Sequence, residues 1–204
     1  MRFLTIIITL PVNQTASIQE LQREIALYEN MKAYRALYDI LSDSLHRFAY
    51  AFVKSNEAAE EIVSDVFVKL WQIRNRLIEV ENLKEYLYII TKNFSLNYIA
   101  KNYRNPVVSL DDIDIETVIE IKSPEDICIS ADLVKKIKQT IRELSPRCRI
   151  IFQLVKEENL KYKEVAAILN VSVFTVRNQV AIATKKIGDI LPAYLRPEAV
   201  RSTG

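Results

Sequence analysis

Residues Tyr162–Ile187 read YKEVAAILNVSVFTVRNQVAIATKKI, and the spacing within this stretch decides how the rest of the chain is understood. Val165 and Leu169 lie one helical turn apart, Val176 and Val180 resume that spacing, and Asn170-Val171-Ser172 separates the two runs. Two helices joined by so short a turn form a helix-turn-helix, and Ala166 is small where the pair must approach closely. Asn170 falls at the turn position that calls for a left-handed backbone, which Asn tolerates better than most residues bearing a Cβ. Ser172 is placed to cap the second helix, whose first turns carry Phe174, Thr175, Arg177, Asn178 and Gln179. Arg, Asn and Gln are suited to bidentate contacts with base edges, and Ser or Thr to phosphates or bases. An antiparallel helix pair with a solvated polar face would show part of this pattern, so the charge around it has to arbitrate.

Moving outward, Cys128 to Ile187 holds twelve Lys and Arg against five acids, a local balance of +7. Pro146 suits the first turn of a helix, and Arg147 and Arg149 just behind it fall where a phosphate backbone would pass. Immediately upstream the sign reverses. Val107 to Asp126 has seven acids and one base, Lys122, a balance of −6 that reads as a linker. The formal net charge of +2 therefore hides a basic C-terminal half.

The N-terminal half is also helical in its periodicity. Apolar residues from Leu21 to Phe48 recur mostly every three or four positions, compatible with one long helix or two. After Lys54-Ser55-Asn56 comes EAAEEIVSDVFVKLWQ, with a capping Ser55 or Asn56 and Glu57, Glu60 and Glu61 near the positive end of the helix dipole. NLKEYLYIITKNFSLNYIAKNYRN then ends before Pro106 and interleaves Lys84, Lys92, Lys101 and Arg104 with five aromatic residues. Aromatic and cationic side chains together hold single-stranded bases, although Tyr86, Leu87, Ile90 and Phe94 read as core.

Composition narrows the functional classes. Only two of the 204 residues are Gly, so Gly-rich phosphate loops and tight hairpins lack material, and an all-α fold follows. Cys128 and Cys148 stand alone and read as reduced thiols, and no metal or other cofactor is expected. His46, the single histidine, lies on an apolar-periodic helix, and no nucleophile–base pair can be assembled, so neither an enzyme nor a small-molecule substrate is expected. The opening MRFLTIIITLPV is too short to span a bilayer and lacks a clear cleavage site, which predicts a disordered lead and a cytoplasmic protein without direct membrane insertion.

Four strings taken in order, LYDILSDSLHRFAY, AEEIVSDVFVKLWQ, NLKEYLYIITKNFSLNYI and LSPRCRIIFQLVKEENLKYKEVAAILNVSVFTVRNQVAIATKKI, resemble the extracytoplasmic-function sigma factors of bacterial RNA polymerase. The resemblance covers roughly residues 20 to 190, and its second string is the most specific. It implies a lead at 1–17, a core-polymerase and minus-ten binding domain at 18–105, an acidic flexible linker at 106–127, a minus-thirty-five binding helix-turn-helix domain at 128–190, and a tail at 191–204. Carried over residue by residue, it implies polymerase contacts at Asp65, Lys69 and Gln72, with Phe67 and Trp71 packed inward. Minus-ten contacts map to Lys92, Asn93, Asn97, Lys101 and Arg104, and minus-thirty-five contacts to Arg149, Ser172, Thr175, Arg177, Asn178 and Gln179.

The implied partners are core RNA polymerase, promoter DNA and an anti-sigma factor. The linker is then either a spacer or a polyanion that mimics nucleic acid in the RNA exit path. The chain departs from the family pattern in its apolar start and in Asn170, where the turn usually has Gly. The competing function is a helix-turn-helix regulator that binds its operator without being a polymerase subunit, with the N-terminal half as a sensor or dimerisation module. A helical interaction protein with no DNA role is the third reading.

Overall fold

A computed structural model describes residues 14–103 and 131–190, and among these every regular element is helical. The expected linker and tail, and Arg104 with them, lie outside the described residues, as does most of the lead. The first helix, α1, is Gln14–Tyr28 and α2 is Met31–Val53, so the long N-terminal periodicity belongs to two helices. Glu29 breaks the run with φ 48°, and the Asn30 side chain then accepts from the N–H groups of Lys32 and Ala33 at 3.0 and 3.3 Å. That cap satisfies donors which otherwise have no partner at a helix start.

Helix α3, Asn56–Gln72, starts on the Ser55 hydroxyl, which accepts from the Ala58 N–H at 3.2 Å. A 3-10 turn at Arg74–Glu79 leads to α4, Leu83–Tyr103, where the Asn82 oxygen accepts from the Glu85 N–H at 3.1 Å. Helices α1 to α4 close around Leu37, Leu45, Phe48, Val66, Leu70 and Leu87, all at or near full burial. A buried polar residue, Gln22, ties α1 to the 3-10 turn by donating to the carbonyls of Leu77 and Val80 at 2.6 and 2.7 Å. Its amide hydrogens are thereby matched, as burial requires.

The C-terminal unit comprises α5 (Ala131–Arg142), α6 (Pro146–Lys156), α7 (Tyr162–Leu169) and α8 (Val173–Gly188). Its apolar residues divide between two clusters. Leu133, Ile137, Ile141, Cys148, Phe152, Ala183 and Ile187 form one, shared by α5, α6 and α8. Ile150, Leu154, Val165, Leu169, Val176 and Val180 belong instead to the large cluster continuous with α1 to α4. The two helical units therefore share a core, and α7 lies against α4. No single helix among the described residues is long and apolar enough to cross a membrane.

Candidate nucleic-acid interface

The turn between α7 and α8 follows from its three residues. Asn170 is left-handed, φ 54° and ψ 50°, and its N–H returns to the Ala167 carbonyl at 3.3 Å. The Val171 N–H reaches back to the Ala166 carbonyl at 3.0 Å, the pattern that closes a helix C-terminus when a left-handed residue follows it. Ser172 then caps α8, its hydroxyl accepting from the Thr175 N–H at 2.9 Å and lying 2.8 Å from the Thr175 hydroxyl. The chain turns by 109° between the two helices, within the range of helix-turn-helix pairs.

Below α8, Val176, Val180, Ala183 and Ile187 are buried, and the Cys148 thiol donates to the Gln179 carbonyl at 3.3 Å. Burial pushes that thiol above its ordinary value, so it remains a neutral donor that braces the helix from behind. The opposite face carries Phe174, Arg177, Asn178, Ala181 and Lys185, all exposed. Gln179 and Thr175 are half-buried, and Ser172 is exposed with its hydroxyl engaged in the cap. Arg149 is half-buried, donating to the carbonyls of Arg142 and Leu144 at 2.8 and 3.1 Å where α5 ends. The cation thus sits at the negative end of a helix dipole. Lys135, Lys138 and Arg142 line a shallow depression on α5, extending the basic surface of this unit.

On α4, Asn93, Asn97 and Lys101 share an exposed edge, with Asn93 and Asn97 one turn apart. Lys92 departs from the expectation of an exposed contact: it is 9% exposed, and burial lowers the affinity of its amine for a proton. The aromatics interleaved with these groups go mainly to the core, Tyr88 completely and Tyr86, Phe94 and Tyr98 partly. On α3, Asp65, Lys69 and Gln72 are exposed beside Val68, whereas Phe67 is buried. Trp71 is half-buried, with Tyr34 edge-on at 5.1 Å and the Arg74 guanidinium over its ring at 4.9 Å. Apart from Lys92, the expected site residues that the structure describes thus fall on three separate groups of elements, α3, α4 and the α6–α8 unit.

A polar clasp joins the two units, and nothing in the local sequence announces it. Glu158 is 6% exposed, with Arg47 at 3.2 Å and the Lys84 ammonium at 3.8 Å from its carboxylate. Lys84 also donates to the Glu158 backbone carbonyl at 2.7 Å. Burial depresses the Lys84 ammonium, and the carboxylates of Glu158 and Glu164 pull it back toward the charged state. Burial, with the Glu158 charge nearby, pushes the Tyr88 phenol well above its ordinary value. Beside this cluster two helix caps interlock: Asn82 donates to Glu164 at 2.8 Å, and Glu164 accepts from the Lys161 N–H at the start of α7 at 2.6 Å. Among the described residues no three His, Cys, Asp or Glu side chains gather where a metal could sit.

Comparison with known proteins matches this geometry in both halves. Residues 37–105 match the Sigma-70 region 2 family model and residues 135–187 the model for Sigma-70, region 4. The chain is similar to the ECF RNA polymerase sigma-E factor of Escherichia coli (strain K12), 25% identical over 174 residues, 82% of this chain and 91% of that one. It is similar also to the RNA polymerase sigma-H factor of Pseudomonas aeruginosa, 24% identical over 152 residues, 71% of this chain and 79% of the other. Two solved structures share the fold. CnrH in complex with the cytosolic domain of CnrY superposes with a TM-score of 0.55 at 19% identity, covering 87% of this chain and 98% of CnrH. The sigma factor RpoE in complex with the anti-sigma factor NepR from Bartonella quintana gives 0.54 at 22% identity, covering 79% and 98%.

Proposed function

This chain belongs to the sigma-70 family, in its extracytoplasmic-function branch, and from that premise we propose how its three surfaces divide the work of starting transcription. The protein is a dissociable initiation subunit: it binds core RNA polymerase, directs it to a promoter and assists opening of the duplex, without itself catalysing a bond. The observation that carries this is the order of region 2 and region 4 on one chain, with an exposed basic recognition helix in the second. An operator-binding regulator would not need the first.

The unit 18–105 engages polymerase and the minus-ten element, and the unit 128–190 reads the minus-thirty-five element as duplex. Asp65, Lys69 and Gln72 face the polymerase, an assignment supported by their exposure on α3. Asn93, Asn97 and Lys101 form the described part of the minus-ten grip, with Arg104 assigned from its place in the sequence. Lys92 joins that grip only where melting DNA draws its ammonium out of the protein, because a buried amine is poorly placed for a phosphate. Arg177, Asn178 and Gln179 read base edges at minus thirty-five, while Ser172 and Thr175 hold the helix N-terminus where a phosphate can approach it. Arg149 serves the same element as a positive charge held against the end of α5.

A protein of this kind works in the cytoplasm, where polymerase and DNA are, and an anti-sigma factor is its natural control, a reading supported by the partner of the similar sigma factor RpoE. Run-off transcription with core polymerase over a promoter library tests the whole reading. The expected result is promoter-dependent transcript only when polymerase and this chain are combined. Tight binding of a palindromic operator by the chain alone, with no response to polymerase, would identify it as a regulator instead.

A further inference from the structure

Of the phenylalanines among the described residues, Phe48, Phe52, Phe67 and Phe152 are at most 3% exposed and Phe94 is partly buried, but Phe174 is 68% exposed. Its position is set by the register of α8. Val176, Val180, Ala183 and Ile187 form the buried stripe, with intervals of four, three and four. Phe174, Asn178, Ala181 and Lys185 repeat those intervals two residues earlier, nearly half a turn around the helix, and all four are exposed. Phe174 therefore lies at the N-terminal end of the outward stripe, the end of a recognition helix that reaches base edges.

Its neighbours in the first turn are engaged elsewhere. Ser172 and Thr175 spend their hydroxyls on each other and on the cap. The exposed polar side chains among the base readers, Arg177 and Asn178, sit one turn further on, with Gln179 half-buried beside them. In the first turn the outward-facing chemistry is apolar, from Phe174 and the 41% exposed Val173 beside it. The major-groove edge of DNA offers one apolar group, the C5-methyl of thymine, and the other bases present hydrogen-bonding atoms that a phenyl ring would strip of water without replacing. A cation and an amide on the same face, Arg177 and Asn178, favour DNA over an apolar protein groove as the occupant.

We propose that Phe174 is a specificity-determining residue that packs its ring on the C5-methyl of a thymine in the minus-thirty-five element, next to the bases met by Arg177 and Asn178. The assignment rests on the reading of the chain as a promoter-binding polymerase subunit. Its test uses the full chain with core polymerase on the promoter that the wild type transcribes best from a library. Each thymine of the minus-thirty-five element, on either strand, is replaced in turn by 2′-deoxyuridine, which lacks only the methyl group.

One replacement is expected to lower wild-type transcription about fourfold, the effect of leaving one methyl unburied. Phe174→Ala should transcribe the thymine template at that reduced level and be indifferent to the same replacement. Phe174→Leu should recover part of the difference. If no position separates wild type from Phe174→Ala, or if Phe174→Ala loses equally on every template as a protein-contact residue would, the thymine assignment is overturned. Absence of any polymerase-dependent transcript from the wild type would overturn the parent reading, and this proposal with it.

Discussion

Single side chains decide whether the recognition helix is presented at all. Asn170 has φ 54°, a conformation that strains any residue with a Cβ, although Asn less than most. Asn170→Gly should leave the fold unchanged or stabilise it by up to about 1 kcal/mol, and Asn170→Ala should destabilise it by a similar amount, both read from urea midpoints. Removing the cap with Ser172→Ala should cost about 1 kcal/mol in the same assay. Arg177→Ala and Asn178→Ala should leave stability within about 0.5 kcal/mol, because their side chains are exposed. Each should instead erase the preference for one base of the minus-thirty-five element, worth about 1–3 kcal/mol, when transcription from single-base promoter variants is compared. The places of Asn170 and Ser172 were readable from sequence because caps and left-handed turns are local chemistry, settled within three or four residues. Lys92 was not readable in that way. Its neighbours Asn93 and Lys101 are exposed as expected, but 9% exposure depends on what other helices cover, which the spacing along α4 does not record.

Helices assign these side chains to faces, and here sequence periodicity was a good guide wherever the helix has one wet side. On α3 the intervals between Ile62, Val66, Leu70 and the exposed Asp65, Lys69 and Gln72 separate core from surface without help from the rest of the fold. Charge reversal at Asp65 and Lys69 should therefore spare the helix while weakening the pull-down of core polymerase, and transcription should fall in parallel on every promoter. Helix α4 is harder to read because it is covered on more than one side. Tyr88, an attractive stacking residue by its basic and aromatic surroundings, is wholly buried. Its phenol is held protonated, with a folded value raised above the ordinary 10.0. Stability from this group is complete below pH 10 and is lost as pH rises from there toward the folded value. Tyr88→Phe should remove that contribution. Between pH 9 and pH 11 its urea midpoint should fall less than that of the wild type.

At the scale of the whole molecule, two units that sequence separates by an acidic stretch share one apolar core and the clasp at Glu158. The basic and acidic runs were plain in the sequence. The pairing of Arg47 with a residue 111 positions away was not, because only the tertiary fold brings the two together. Glu158→Ala leaves two cations facing a largely buried site; since Arg47 and Lys84 keep about a quarter of their surface in water, the loss should be about 2–3 kcal/mol, below the range for a fully buried pair. Scattering in solution should show the variant to be more extended than the wild type. The clasp also limits what free protein can gain from a promoter. Elements about 25 base pairs apart are separated by roughly 85 Å of duplex, whereas a folded body of this size is roughly 40 Å across. Only when the units part could the two grips span that distance. Until they do, the second element adds no avidity to the first, and the effective concentration of one grip at the other's target is close to zero. Wild-type protein without polymerase should bind a minus-thirty-five half-duplex as tightly as the complete promoter. Glu158→Ala should begin to distinguish them.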